Sequence, residues 1–267
     1  MMRIGIFDSG VGGLAIAAPI WKQFSDVEIF YIADKLHAPY GGLSEAQINE
    51  RVLWCAEELV KKNVEMIIIA CNTATAAGVE VLRKKYDFPI IGVEPDINFF
   101  QRPEFIKSQE ITDLQKICVL CTPYTLQSIK FNNLKNRRDP NNLITYKAMK
   151  NLARLVEEYF WSEPSSNDKK NLILEEIENE IGKESFDYLV MGCTHYELIK
   201  QIIEEFTGAK TIGVAEGIIK RCKQLFTDMS EMEPRDADSC SDFYFLDSTN
   251  AKWITPELPK FLSWPRD

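Results

Sequence analysis

Short apolar runs alternate along this chain with longer stretches whose apolar residues recur at helical spacing. Arg3–Phe7 reads as a buried strand, Leu14–Phe24 as a helix presenting Leu14, Ala17, Ala18 and Trp21, and Glu28–Ala33 as a second strand. Ser44-Glu-Ala-Gln47 fits a capping box and predicts a helix from about Glu45 to Lys62. A strand over Glu65–Ala70, a helix over about Ala74–Lys85 and a strand over Pro89–Val93 follow. From Phe99 to Leu114 the pattern weakens into Pro-, Lys- and Glu-rich sequence, expected to be a crossing between lobes. It then resumes with a strand over Lys116–Cys121, a helix to about Lys135 and a polar turn over Arg137–Asn142. Leu152–Phe160 reads as a helix, Glu163–Lys170 as a solvated loop and Leu172–Ile181 as an amphipathic helix. Asp187–Met191 is a strand, a helix runs to about Phe206, and a strand over Thr211–Val214 leads into a helix over Ala215–Phe226. The acidic segment Asp228–Asp242 reads as an exposed loop, Phe243–Leu246 as a strand, and the C-terminus as a tail or short helix.

This order predicts an α/β fold with mainly parallel sheets flanked by helices. The halves rhyme. Ile4-Gly-Ile-Phe-Asp-Ser precedes Ile67-Ile-Ile-Ala-Cys-Asn-Thr, and Ile117-Cys-Val-Leu-Cys-Thr precedes Leu189-Val-Met-Gly-Cys-Thr. Two occurrences suggest a duplicated α/β unit, with a site at the C-terminal ends of the strands.

At the end of each second strand stands a cysteine, Cys71 or Cys193, followed by small polar residues and a helix. Helix N–H groups aimed at such a turn suit a reactive thiol and a bound carboxylate. Either thiol alone is equally well read as a small buried packing residue. As a pair they fit three chemistries. One is a redox pair, although the close Cys-x-x-Cys spacing is missing. Another is zinc held by Cys71, Cys193, His195 and even His37, again without compact ligand spacing. The third is two-base chemistry at a carbon acid, one thiolate removing a proton from one face and the other thiol delivering one to the opposite face. Asp8-Ser9, before Gly10, Gly12 and Gly13, is either a helix cap with a tight turn or a base-orienting and ligand-binding pair. The glycine spacing is not that of a nucleotide fingerprint. His195 suits proton shuttling or stabilisation of a thiolate. His37 reads as surface or supporting, and Cys118 and Cys121 as core.

Composition narrows the field. The 267 residues allow one large domain or two modest ones. A net charge of −9 disfavours nucleic acid and anionic membranes as partners. There is no apolar run long enough for a span and no signal-peptide pattern, so a cytoplasmic location is expected, with the seven cysteines as free thiols.

Phe7-Asp-Ser-Gly-Val-Gly-Gly13, Ala33-Asp34 with Pro39-Tyr-Gly41, Ala70-Cys-Asn-Thr-Ala74 and Gly192-Cys-Thr-His-Tyr196 together resemble the glutamate racemase family, in order and over nearly the whole chain. Thr122-x-x-Thr125-x-x-Ser128, Leu155-Val-Glu157 and Phe243-Tyr-Phe resemble further motifs of that family. The resemblance implies cofactor-independent inversion of glutamate at Cα, supplying D-glutamate for peptidoglycan, in a homodimer. It implies Cys71 and Cys193 as the acid/bases, with Asp8, His195 and Glu157 assisting. Glu158 competes with Glu157 for that place. Ser9, Pro39, Tyr40, Gly41, Asn72, Thr73 and Thr194, along with Asp8 and His195, would hold the substrate. The implied fold has two pseudo-symmetric lobes, residues 1–97 with 210–267 and residues 98–209, and an active site in the cleft between them. Asp96, Met149-Lys150, Glu197 and Gly213-Val-Ala-Glu216 depart from the family pattern. Racemisation of aspartate, or a binding protein that retains the fold, stays open as an alternative.

Overall fold

A computed structural model describes residues 1–24, 27–99, 115–162, 167–229 and 242–256. The expected crossing over 100–114, half of the expected loop over 163–170 and most of that over 228–242 lie outside these residues. The chain divides into two compact units, Met1–Val93 with Ala215–Asp267, and Glu94–Val214.

The first unit carries a six-stranded sheet. Its strands are β1 (Met2–Asp8), β2 (Val27–Ala33), β3 (Met66–Ile69), β4 (Ile90–Gly92), β9 (Phe243–Asp247) and β10 (Lys252–Ile254), in the order β10-β9-β2-β1-β3-β4. All neighbours are parallel except β9 and β10. The central strands are buried from both sides, which is why Ile67, Ile68 and Ile69 form an unbroken apolar run rather than alternating with polar residues. Helices α1 (Leu14–Gln23), α2 (Glu45–Val60) and α3 (Asn72–Lys85) connect these strands. The capping box at α2 forms as expected, Ser44 and Gln47 each satisfying the other's backbone N–H.

The second unit carries β5 (Ile117–Cys121), β6 (Ile144–Ala148), β7 (Tyr188–Gly192) and β8 (Lys210–Ile212), all parallel, in the order β6-β5-β7-β8. Its helices are α4 (Pro123–Gln127), α5 (Ile129–Arg138), α6 (Leu152–Phe160), α7 (Asn167–Ile181), α8 (Thr194–Leu198) and α9 (Lys200–Thr207). Helix α10 (Ala215–Met229) returns to the first unit and packs on α1. Strand order is therefore the same in both units: second, first, third, fourth. In each, the first and third strands lie side by side where the winding direction reverses. That switch point is where open α/β sheets bind ligands.

Several expectations are corrected. Strand β6 was not anticipated; it is an edge strand, buried only at Ile144 and half-exposed beyond it, so its apolar signal is weak. The predicted helix after Thr122 is two helices, because Ser128 ends α4 in extended backbone and its hydroxyl accepts from Phe131 N–H to cap α5. Thr122 caps α4 in the same way by accepting from Thr125 N–H, so the Thr-x-x-Thr-x-x-Ser motif is two successive helix starts. The helix after Cys193 likewise breaks at Ile199. Helix α7 already starts at Asn167, inside the expected loop. After Phe243–Asp247 the chain turns back as strand β10, which the sequence pattern does not announce; the rest of the expected C-terminal tail or short helix, from residue 257, lies outside the described residues. Asp247 turns it, accepting from Thr249 N–H at 2.8 Å, and Trp253 packs edge-on against Phe30.

Candidate active site

In the first unit the parallel pairing of β1 with β3 sets Phe7 opposite Ile69. The residues just beyond, Asp8-Ser9 and Ala70-Cys71, therefore emerge together at the switch point. Cys71 is the N-cap of α3, and its sulfur accepts from Ala74 N–H at 3.4 Å. That donor and the positive end of a 14-residue helix favour negative charge on the sulfur. The Cys71 thiol lies 3.8 Å from Ser9 Oγ, and the Ser9 hydroxyl lies 3.3 Å from Asp8 Oδ1, which also accepts from Gly10 N–H at 2.9 Å. A thiol, a hydroxyl and a buried carboxylate thus form a chain.

The turn after β1 has no slack. Tyr31 Oη donates to Gly10 O at 2.7 Å, and a Cβ on Gly13 would stand 2.7 Å from that hydroxyl and 2.8 Å from Ala70 Cβ. Only glycine fits there. Asn72 and Thr73, in the first turn of α3, are buried. Asn72 Nδ2 donates to Val93 O at 3.4 Å, while among the described residues its Oδ1 is buried without a hydrogen-bond partner.

Pro39, Tyr40 and Gly41 follow β2, with Tyr40–Gly42 in a short 3-10 turn. The Tyr40 hydroxyl donates to Asp34 Oδ2 at 2.5 Å. Arg51 clamps the same carboxylate through Nε and Nη2, at 2.8 and 3.0 Å, and His37 Nδ1 lies 3.1 Å from Asp34 Oδ1. Burial alone would raise the Asp34 pKa, but hydrogen bonds from Arg51, Tyr40 and Ser248 hold it below the ordinary carboxylate value. Burial, with Cys55 and Asp34 nearby, pushes the Tyr40 phenol well up, so it remains a hydrogen-bond donor. Arg51 went unnoticed in the sequence. It is half-buried and flanks the buried stripe Ile48–Val52–Cys55–Leu59 of α2, and a charge beside such a stripe is the available signal.

In the second unit β5 pairs with β7, Cys121 opposite Gly192, and Cys193 emerges at the equivalent switch point as the N-cap of α8. A Cβ on Gly192 would lie 2.5 Å from Leu120 O and 2.6 Å from Cys121 Sγ, so the strand approaches its neighbour through glycine. Cys193 Sγ lies 3.9 Å from His195 Nδ1, and His195 Nε2 lies 2.9 Å from Glu157 Oε2. The carboxylate calls for a hydrogen on Nε2. Nδ1 is then left to accept from the thiol or, in the imidazolium, to donate to the thiolate. Thr194 and His195 are buried.

Of the two adjacent glutamates, Glu157 is the one that meets His195. Glu158 points to Arg154 and Lys169, at 2.5 and 2.8 Å, on the surface side of α6. Helix phase explains it: Ala153, Val156, Glu157 and Phe160 make the buried stripe.

Cys118 and Cys121 are fully buried in β5; burial raises the first thiol to about 12 and the second well above its ordinary value. Glu197 accepts from Val214 N–H with its carboxylate against Gly213, so two of the departures from the family pattern meet each other. Among the described residues there is no group of three or more His, Cys, Asp or Glu side chains arranged for a metal ion, and no helix is long and apolar enough to cross a membrane.

Two cysteines capping helices at equivalent switch points, one backed by Ser-Asp and one by His-Glu, define a two-thiol α/β protein. Residues 19–220 match the Asp/Glu/Hydantoin racemase family, and the chain belongs to it. It is 34% identical over 238 residues to glutamate racemase 2 of Bacillus subtilis (strain 168), covering 86% of this chain and 84% of that one. It is 32% identical over 236 residues to the glutamate racemase of Bifidobacterium longum (strain DJO10A), covering 88% of each. The crystal structure of the RacE1 isoform of glutamate racemase from Bacillus anthracis superposes with a TM-score of 0.72 at 25% identity, covering 97% of this chain and 91% of that one.

Proposed function

We propose that this protein is a glutamate racemase that interconverts L- and D-glutamate by proton transfer at Cα, with Cys71 and Cys193 as the two acid/bases. The observation that carries this reading is the repeated cysteine turn at the switch point of both sheets, in a chain whose relatives are glutamate racemases. In one direction the Cys71 thiolate removes the Cα proton as the Cys193 thiol protonates the opposite face; the return direction exchanges the roles. Each thiol then exchanges its proton through its own partners, Ser9 and Asp8 for Cys71, His195 and Glu157 for Cys193. The substrate carboxylate is held by N–H groups at the helix starts around Asn72, Thr73 and Thr194. The open Oδ1 of Asn72 supports a role in accepting from the substrate ammonium. Pro39, Tyr40 and Gly41 are assigned to the substrate's surroundings, held in place by Asp34 and Arg51. Under this reading the reaction needs no cofactor, the protein is a cytoplasmic homodimer, and its product serves peptidoglycan synthesis.

Chelator-treated protein is incubated with L- or D-glutamate, and enantiomers are separated on a chiral column. Both reactions are expected to converge on equal amounts of the two forms. No inversion of glutamate would overturn the reading; inversion of aspartate but not glutamate would overturn its substrate.

A further inference from the structure

The Glu157 carboxylate is shared. Its Oε2 lies 2.9 Å from His195 Nε2, and its Oε1 accepts from the indole Nε1–H of Trp161 at 2.9 Å. Trp161 follows Glu157 by one helical turn and is the C-cap of α6. We propose that Trp161 is a positioning residue for the Cys193 half of the reaction, an inference that rests on the two-thiol reading above. A glutamate carboxylate turns readily about its last torsion, which is broad and nearly two-fold. One hydrogen bond to a histidine leaves that torsion loose. A second donor on the other oxygen fixes the carboxylate plane and so directs Oε2 at Nε2. Fixing Nε2 in turn fixes the in-plane direction in which Nδ1 meets Cys193.

The burial pattern supports a specific role for the indole nitrogen. Glu157 is 8% exposed, so its Oε1 has little access to water, whereas Trp161 is 43% exposed and packs edge-on against Phe160 at 5.1 Å. A large ring left half in solvent contributes little to the core. Its N–H nevertheless reaches a buried carboxylate. Trp161→Phe keeps an aromatic ring beside Phe160 and removes the donor alone. Neighbouring Glu158 is engaged by Arg154 and Lys169 and offers no substitute acceptor for the indole.

The test separates the two halves. With one thiol removed, the other can still take the Cα proton from one enantiomer of glutamate and return a deuteron from D2O to the same face, giving exchange without inversion. Trp161→Phe is combined with Cys71→Ala and, separately, with Cys193→Ala, and exchange is followed by NMR. In the Cys71→Ala background, where Cys193 works alone, the exchange rate is expected to fall about tenfold, the loss of one hydrogen bond to a charged group. In the Cys193→Ala background it is expected to stay within about twofold. Equal losses in both backgrounds would make Trp161 a general structural residue, and no loss in the first would remove it from the site; either overturns the proposal. If neither single-thiol protein exchanges glutamate, the two-thiol reading itself fails, and the ring 15N shifts of His195 decide the positioning role. The chain has only two histidines, so His37 serves as internal reference. Trp161→Phe is expected to move the His195 signals away from the Nε2–H tautomer and leave those of His37 in place. Unchanged His195 signals would overturn the proposal.

Discussion

The two cysteine turns share a backbone platform and differ in what stands behind the sulfur. Cys71 caps a 14-residue helix, accepts an N–H from its first turn, and is backed by Ser9 and Asp8. Cys193 caps a helix of five residues and is backed by His195 and Glu157. A short helix has a weak dipole, so less of its field reaches the thiolate. In the proposed reaction the imidazole 3.9 Å away would take over that part, because as a cation it would attract negative charge on the sulfur directly. Fold topology thus settles where each thiol emerges, and in the proposed reaction the local side chains would handle its proton. Duplicated halves can share the first and diverge in the second.

The largest effects are expected at the sulfurs. Cys71→Ser and Cys193→Ser should each lower inversion of glutamate by at least about a hundredfold, the scale of a lost acid/base group, as read by chiral chromatography. Loss from only one substitution would end the functional equivalence of the turns.

Next in size is the support beneath Tyr40. Arg51→Met leaves the fully buried Asp34 carboxylate without its cation and should destabilise the protein by about 3 kcal/mol in urea melts. The pH dependence has a definite sign. Because the folded-state pKa of Asp34 is depressed, its contribution to stability is full above the ordinary carboxyl value of about 4 and is lost as pH falls through the lower folded value. Arg51→Met should therefore cost most at neutral pH and progressively less below about pH 4.

A smaller effect sharpens the His-Glu half. Glu157→Gln should reduce kcat about tenfold or more, as expected for loss of a charge-assisted hydrogen bond, while Glu158→Gln should stay within about twofold. Steady-state kinetics of the two variants distinguish the buried glutamate from the surface one. The smallest expected effect lies in the other half. Ser9→Ala breaks the chain from Cys71 to Asp8 at a 3.8 Å contact, and a loss of a few-fold in kcat is expected, with thermal stability within about 1 kcal/mol of the parent.

Much of this arrangement was legible in the sequence because buried parallel strands and abrupt strand-to-helix turns leave strong marks. Ile67–Ile69 is apolar on both faces, and the cysteine that follows marks its end. Edge strand β6 left little trace, since half-exposed positions carry no clear period. Neither helix break was legible either: Ser128 and Ile199 interrupt otherwise helical patterns, and the break depends on backbone angles that the apolar spacing does not record. Glu157 and Glu158 are adjacent letters separated by about 100° on a helix, so motif matching alone left both open. Helix phase separates them, placing Glu157 with Val156 and Phe160 on the buried face. The same criterion points to Arg51, a charge flanking the buried stripe of α2. Charged residues at such positions are worth singling out, because burial forces them to have partners.

Under the proposed function Cys71 and Cys193 work on opposite faces of the same Cα. Stereospecific exchange in D2O tests it most directly. Cys71→Ala and Cys193→Ala are incubated separately with L- and D-glutamate, and loss of the Cα–H signal is followed. The account predicts that each variant exchanges one enantiomer without inverting it, and that the two variants choose opposite enantiomers. Exchange of the same enantiomer by both variants, or inversion surviving in either, would contradict it.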